Sequence, residues 1–544
     1  MKVKLSWHPY LFAVYGVLAT IASNIVNLQI GVIESVAASL LASIIVVVAL
    51  RLILRDGLKA GLISSAFILI IFSYGHVQTL IQGWRVAGFS PAQDAIMLPL
   101  WAALLAAWSA FILRRSEHTR AILSGYFNWV SLISLIFPVQ TIYRFNLLTQ
   151  QTQPWVQKFP AYAWQQGGLE NMTTHSSGSS STKVKPDIYY IILDAYTRDD
   201  ILDELYGYDN RPFLDFLRSR GFIIAESSRA NYTTTVTSLA SSLNMVHINS
   251  LPQYLYENAG VREEWAVDSA ANLLISNSRV VDFLKAQDYQ IATFADGYGG
   301  ALSTMADQTI VPPNAANVSN DQILFNMLLW DTPFGRALAV LEGANNPITA
   351  SFHAHRQNII YILNTLPSLA KGPHPQFIFA HILAPHVPYV FGPNGEEIQN
   401  VDPFTLTDSH PGSPYNIPLY RGQVNYLNTL VKKAIDGILA NSDTPPIIIL
   451  QGDHSSKVYK ETTPPTDVRM KLLLPILNAY RLPGAPEGLI NPATTPVNTF
   501  RSLFNYYFDA NLELLDDESY LLEAHAGRVE YVDACRVYAA CASR

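Results

Sequence analysis

The stretch 'KPDIYYIILDAY' (185–196) decides how the second half of the chain reads. Its run of apolar residues from Ile188 to Leu193 is the length of a strand and too short for a helix. The run stops at Asp194, which places a carboxylate at the end of a buried strand. Such a residue either caps the following turn or joins a site, because open α/β sheets bind ligands at the carboxyl ends of their strands.

Further strands are expected at 'GFIIAES' (221–227), 'YQIATFAD' (289–296), 'PQFIFAHIL' (375–383), 'PPIIILQGD' (445–453) and 'KLLLPIL' (471–477). Helical patterns separate them, at 'RPFLDFLRSR' (211–220), 'SRVVDFLKAQ' (278–287) and 'YRGQVNYLNTLVKKAIDGILAN' (420–441). This alternation predicts an α/β fold with a mostly parallel sheet flanked by helices. Neither an internal repeat nor a glycine-rich phosphate loop is visible, which disfavours an ATP-fuelled enzyme.

Upstream, residues 144–185 lose the apolar pattern, and 'THSSGSSSTK' (174–183) has the composition of a flexible tether. Before it, residues 1–143 hold five apolar stretches of spanning length, near 8–28, 31–53, 58–80, 93–113 and 121–142. A cleavable signal peptide would account for the first of these and leave four unexplained. Lys2, Lys4, Arg51, Arg55, Lys59, Arg114, Arg115 and Arg120 fall on one side of the spans, and Arg85 alone on the other. Basic residues mark the cytoplasmic side. The N-terminus is therefore expected inside the cytoplasmic membrane, and the domain after an odd number of spans on the extracytoplasmic side.

The 544 residues are too many for one ordinary domain, and the net charge of -7 argues against a nucleic-acid partner, which requires a basic face that is not evident in the sequence. The two cysteines, Cys535 and Cys541, form no zinc framework; a disulfide closing the tail and two unpaired thiols are both open. Sequons occur at Asn171, Asn231 and Asn317. Oligomeric state leaves no trace in the sequence.

Two more polar clusters accompany Asp194. 'PPIIILQGDHSS' (445–456) ends an apolar strand on Asp453 and His454, which present a carboxylate oxygen and an imidazole nitrogen. That donor mixture suits zinc or manganese; the bland alternative is a turn. 'NYTTTVTSLASSL' (231–243) is a hydroxyl-rich turn entering a helix of small residues. Hydroxyls there cap helices, and the same N-terminus stabilises phosphate. A threonine is a weak nucleophile unless a cation makes it an alkoxide. Two carboxylates, one histidine and one threonine would complete a one-metal site.

A strand-end aspartate, the threonine run before 'SLAS' and 'GDH', in this order, resemble the alkaline phosphatase superfamily. The likeness is to its sulfatase-like and lipoteichoic-acid-synthase-like branch and covers about residues 186–512, leaving 513–544 as a C-terminal tail. It extends to 'ILNAYRLPG' (476–484) and 'NTFRSLFNYYFDANLELL' (498–515). The resemblance implies an alkaline-phosphatase-like domain with a mixed, mostly parallel sheet, following five transmembrane helices. It implies metal ligation by Asp194, Thr235, Asp453 and His454, with Thr235 as nucleophile and His386 of 'APHVPY' contacting phosphate. His381 is a weaker candidate. Thr233, Thr234 and Thr237 stand in the alternative registers for the nucleophile.

Departures from the pattern narrow the chemistry. Threonine cannot become formylglycine, and Leu239 stands where sulfatases carry arginine, so sulfate-ester hydrolysis is disfavoured. Ala195 replaces a second aspartate, favouring one divalent ion: manganese or zinc, with magnesium and calcium as alternatives. His525 is the one histidine after 'GDH', unlike the fuller phosphoethanolamine-transferase pattern. The expected function is phosphoryl-group transfer on a phospholipid head group or envelope polymer through a phosphothreonine, with membrane lipids as partners. A membrane-tethered phosphodiesterase or sulfatase-like hydrolase, and a catalytically silent assembly module, are the alternatives.

Overall fold

The computed structural model describes residues 6–23, 25, 32–81, 84, 93–169, 172, 185–295, 302–314, 332–335, 347–372, 375–398, 416–458, 466–525 and 527–537. The chain divides into two compact units, one built mainly from residues 1–148 and the other mainly from residues 149–544.

The first unit is helical: His8–Ser23, Val32–Leu54, Gly57–Ile81, Asp94–Arg114, Glu117–Ser134 and the greater part of Ile136–Val156, whose last turns belong to the second unit. Among the described residues, four apolar helical stretches are long enough to cross a membrane, and His8–Ser23 is a shorter apolar helix. Large apolar side chains such as Leu52, Ile53, Trp129 and Phe137 face outward, the reverse of a water-soluble bundle. Polar contacts tie like ends together. The His8 imidazole bonds the hydroxyls of Ser65 and Ser124, and Arg120 lies 3.2 Å from Asp56. At the opposite ends Tyr74 and Gln78 both donate to Asp94 Oδ1, at 2.7 and 2.9 Å.

The second unit holds a seven-stranded mixed sheet. Its strands are β1 (Ile188–Leu193), β2 (Phe222–Ile224), β3 (Gln290–Phe294), β4 (Gln308–Ile310), β5 (Gln376–Ile382), β6 (Ile447–Gln451) and β7 (Asn478–Arg481). The order is β2-β7-β6-β1-β5-β3-β4, parallel from β6 through β4 and antiparallel at β7 and β2. All six residues of β1 are buried, as a central parallel strand requires. The fold is thus apolar N-terminal helices followed by an α/β unit with a mixed, mostly parallel sheet.

The structure differs from the sequence reading in three places. 'KLLLPIL' is not a strand: its first residues end the helix Thr466–Leu473, and the strand begins just beyond it at Asn478. Apolar runs this short fit either element, and tertiary packing arbitrates. Much of the expected flexible linker is ordered, since Ile136–Val156 and Phe159–Gln166 are helices. Phe159 and Ala163 are buried, Trp164 Nε1 donates to Asn244 Oδ1 at 2.9 Å, and Arg501 donates to Gly167 O at 2.8 Å. The stretch 174–183 lies outside the described residues. The tail contains a hairpin, β8 (Tyr520–His525) and β9 (Arg528–Asp533), turned by Gly527 at φ 77°. Leu521 and Ala534 pack with Met470 and Leu474, so the hairpin belongs to the domain core. Cys535 is disulfide-bonded; Cys541 lies outside the described residues. Asn231 is a buried strut that accepts from Val497 N and donates to Glu518 O, which removes it as an accessible sequon.

Candidate metal and phosphoryl-transfer site

β6, β1 and β5 are neighbours and parallel, so their carboxyl ends open on one edge of the sheet. Asp194 follows β1, Asp453 and His454 follow β6 after Gly452, and His386 lies just beyond β5. His381 sits within β5, in register with Ile192. Thr235 is the first residue of the helix Thr235–Ser242, its hydroxyl at the positive end of the helix. Folding thereby brings Asp194 and His454, 260 residues apart in the chain, to one place.

Local geometry aims each side chain. Asp194 N donates to Ile382 O at 2.9 Å, and Ala195, at φ 63°, turns its N–H to Asp453 Oδ1 at 3.0 Å. That left-handed conformation at a non-glycine residue is the kind of strain that clusters at functional sites. Gly452 is required by close approach: a Cβ there would lie 2.5 Å from Tyr196 O. Asp453 Oδ1 also accepts from His454 N at 2.9 Å, leaving Oδ2 for the site.

The side chains then converge. Thr235 Oγ1 is 3.3 Å from His454 Nε2, and that nitrogen is 3.4 Å from Asp194 Oδ1 and 3.7 Å from Asp453 Oδ2. His381 Nε2 is 3.3 Å from Asp194 Oδ2. Two ligand-competent groups share Asp194, one with His386 and His454 and the other with His381 and Asp453. Thr234 and Thr237 bond each other through their hydroxyls at 2.8 Å, so of these three neighbours Thr235 is the one whose hydroxyl meets His454.

Electrostatics agree with this layout. Burial opposes charge on Asp194, yet the imidazoles of His386, His381 and His454 outweigh it and hold the carboxyl well below the usual range. Burial pushes His454 down, against the pull of Asp453. Its Nδ1–H donates to Ser455 O at 2.8 Å, which leaves the Nε2 lone pair facing the two carboxylates. Asp194 Oδ1 and Asp453 Oδ2 are buried and accept no hydrogen bond among the described residues. These acceptors face one another with the Thr235 hydroxyl as the one nearby donor among the described residues, and two carboxylate oxygens left without a donor fit a divalent cation.

Several supporting residues carry no sequence signal. Tyr420 accepts from Thr197 N at 3.2 Å and donates to Ala195 O at 2.9 Å, bracing the turn after Asp194. Gln423, on the same long helix Asn416–Asn441, donates to His386 O at 2.9 Å. His355, pushed down to about 4 by burial, lies 3.2 Å from Leu383 O between β5 and His386. Each belongs to a helix whose register shows only once it is packed on the sheet.

No family model and no curated protein matches this sequence. Among solved structures the chain is similar to the C-terminal periplasmic domain of EptC from Escherichia coli in complex with zinc. That match has a TM-score of 0.41 and 11% identity and covers 65% of this chain and 94% of the other. The chain is also similar to the integral membrane lipooligosaccharide phosphoethanolamine transferase A from Neisseria meningitidis, with a TM-score of 0.36, 13% identity and coverage of 92% and 94%. A third is a protein in the alkaline phosphatase superfamily from Vibrio parahaemolyticus, with a TM-score of 0.35, 13% identity and coverage of 63% and 74%.

Proposed function

We propose that this chain is a membrane-anchored phosphoryl-group transferase whose Thr235 takes a phosphoryl group from a phospholipid head group or envelope phosphodiester. The observation that carries it is the placement of the Thr235 hydroxyl, at a helix N-terminus and 3.3 Å from the His454 imidazole, beside Asp194 Oδ1 and Asp453 Oδ2, two buried oxygens that accept no hydrogen bond among the described residues. Asp194, Thr235, Asp453 and His454 would hold one divalent ion, for which their oxygen and nitrogen donors suit zinc or manganese. Bound there, the ion supplies the charge that lowers the hydroxyl's pKa and neutralises the phosphoryl oxygens.

In the first half-reaction Thr235 Oγ1, as the alkoxide, bonds to phosphorus while the bond to the donor's alcohol oxygen breaks. His386 Nε2 gives the departing alcohol its proton. His386 Nδ1 is engaged with Val387 O at 2.6 Å, which supports Nε2 as the nitrogen that carries the proton. In the second half an acceptor hydroxyl attacks the phosphothreonine, returns a proton to His386, and Thr235 Oγ1 leaves. The helix N-terminus under Thr235 stabilises the negative charge in both halves.

The basic residues of the short loops, eight against one, support a cytoplasmic N-terminus with the α/β unit on the far side of the membrane. The test is mass spectrometry of the full-length protein, in detergent, incubated with phospholipid and metal. A phosphoryl-ester adduct on Thr235 is expected, and its loss in Thr235→Ala; full turnover by Thr235→Ala overturns the scheme. Product formed on an added alcohol, against product formed on water, separates transfer from hydrolysis.

A further inference from the structure

The second unit carries an open cavity of about 660 Å³ on the segment that leads out of the apolar helices. Four aromatic side chains line it, Trp155, Tyr162, Trp164 and Tyr254, together with the cations Lys158 and Arg279. Its volume is that of a small-molecule site. The reaction derived above uses none of these residues.

The lining has a definite chemistry. Lys158 Nζ lies 4.4 Å from the centre of the Trp155 ring, and the Arg279 guanidinium 5.1 Å from that of Trp164. Arg279 is pinned by bonds to Leu169 O at 3.0 Å and Met172 O at 3.2 Å, so its charge is positioned in advance. No carboxylate is among the lining residues; Asp282, outside the lining, lies 4.0 Å from Arg279 Nη1 and offsets part of that charge, so Lys158 is the cation that gives the cavity its positive character. Gln165 and Asn258 add exposed amides that donate and accept. Flat aromatic faces suit the C–H faces of a pyranose ring, amides suit its hydroxyls, and fixed cations suit a phosphate or carboxylate borne on the sugar.

We propose that this cavity binds an anionic saccharide, a segment of an envelope glycan. A lipid head group fits less well. The sequence just before Trp155 is polar, at Thr149, Gln150, Gln151, Thr152 and Gln153, and offers no apolar surface for acyl chains. The wall is also joined to the nucleophile's helix: Trp164 Nε1 and Arg279 N both donate to Asn244 Oδ1, at 2.9 and 3.1 Å, just past the end of Thr235–Ser242. A glycan held here is carried on the same body as Thr235. The binding stands whether or not a phosphothreonine forms.

Calorimetric titration of the full-length protein in detergent tests it, with hexagalacturonate as the anionic probe, maltohexaose as the neutral one, and phosphatidylglycerol vesicles as the lipid. Hexagalacturonate is expected to bind at least about tenfold more tightly than maltohexaose. The double variant Trp155→Ala/Lys158→Gln is expected to lose about tenfold or more of that affinity. Ala161→Trp, which fills the cavity from an exposed lining position, should abolish binding while leaving the melting temperature unchanged. Absence of binding, equal affinity for the neutral probe, or unaltered binding by a folded Ala161→Trp overturns the proposal. So does vesicle binding that depends on Lys158 while hexagalacturonate does not bind.

Discussion

His454 turns its Nδ1–H toward Ser455 O at 2.8 Å and faces Asp194 Oδ1 with Nε2 at 3.4 Å. A neutral ring in this tautomer offers a lone pair to a carboxylate oxygen, a pairing that repels unless a cation lies between. Asp453 Oδ2, 3.7 Å from the same nitrogen, adds a third acceptor.

Asp453→Asn and His454→Ala are therefore expected to lower divalent metal retained through purification by about tenfold or more. Thr235→Ala keeps three of the four donors and should retain most of the ion while losing at least about a thousandfold in turnover. Elemental analysis alongside activity reads both; metal content unchanged in Asp453→Asn would count against the assigned ligands.

Gly452→Ala adds a methyl group 2.5 Å from the backbone oxygen of Tyr196. Backbone cannot rotate aside as a long side chain can, so the β6 end must shift and take Asp453 with it. A loss of about 1–3 kcal/mol in stability is expected, with metal affinity falling too. Chemical denaturation of the variant measures the first and a metal titration the second.

Arg501 is 2% exposed and donates to Met245 O, Glu513 O and Gly167 O at 2.8, 2.6 and 2.8 Å. Burial pulls its pKa down to about 10, so it stays charged at neutral pH. Arg501→Met leaves three carbonyls without that donor and should destabilise the domain by about 2–4 kcal/mol. Arg501→Lys should rescue only part, because one ammonium cannot span the guanidinium's fork. Wild-type melting curves from both variants would refute this bracing role.

Asp268 is pushed up to about 6, chiefly by burial and then by Glu264 one turn earlier. The folded state then holds a proton that the unfolded chain releases near the ordinary value of 3.8, so this contribution is complete below pH 4 and lost as pH rises through 6. Asp268→Asn should gain on the order of 1 kcal/mol at pH 7, after allowance for partial exposure, and nothing at pH 4. Melting temperatures at the two pH values decide it; equal shifts would be inconsistent with a titrating carboxylate.

Short-range physics made much of this protein legible before its structure. Apolar length marked the membrane helices, because a bilayer accepts only long runs without charge. Runs of buried residues marked β1, β3, β5 and β6, and the polar residues that stop two of those runs, Asp194 and Asp453-His454, are the ones the fold brings together. Beyond the reach of sequence lay whatever depends on contacts distant in the chain. Thr233, Thr234, Thr235 and Thr237 are alike as letters; the helix starting at Thr235, set opposite β6 across 219 residues, distinguishes them. 'KLLLPIL' could not be told from a strand by its own period, and the stretch after residue 144 looked loose until Arg501 and Asn244 supplied its partners. Local pattern determined which residues had to be buried and which had to interrupt them. Only the tertiary structure decided which of those interruptions face one another, since that depends on sheet order and on where each helix starts.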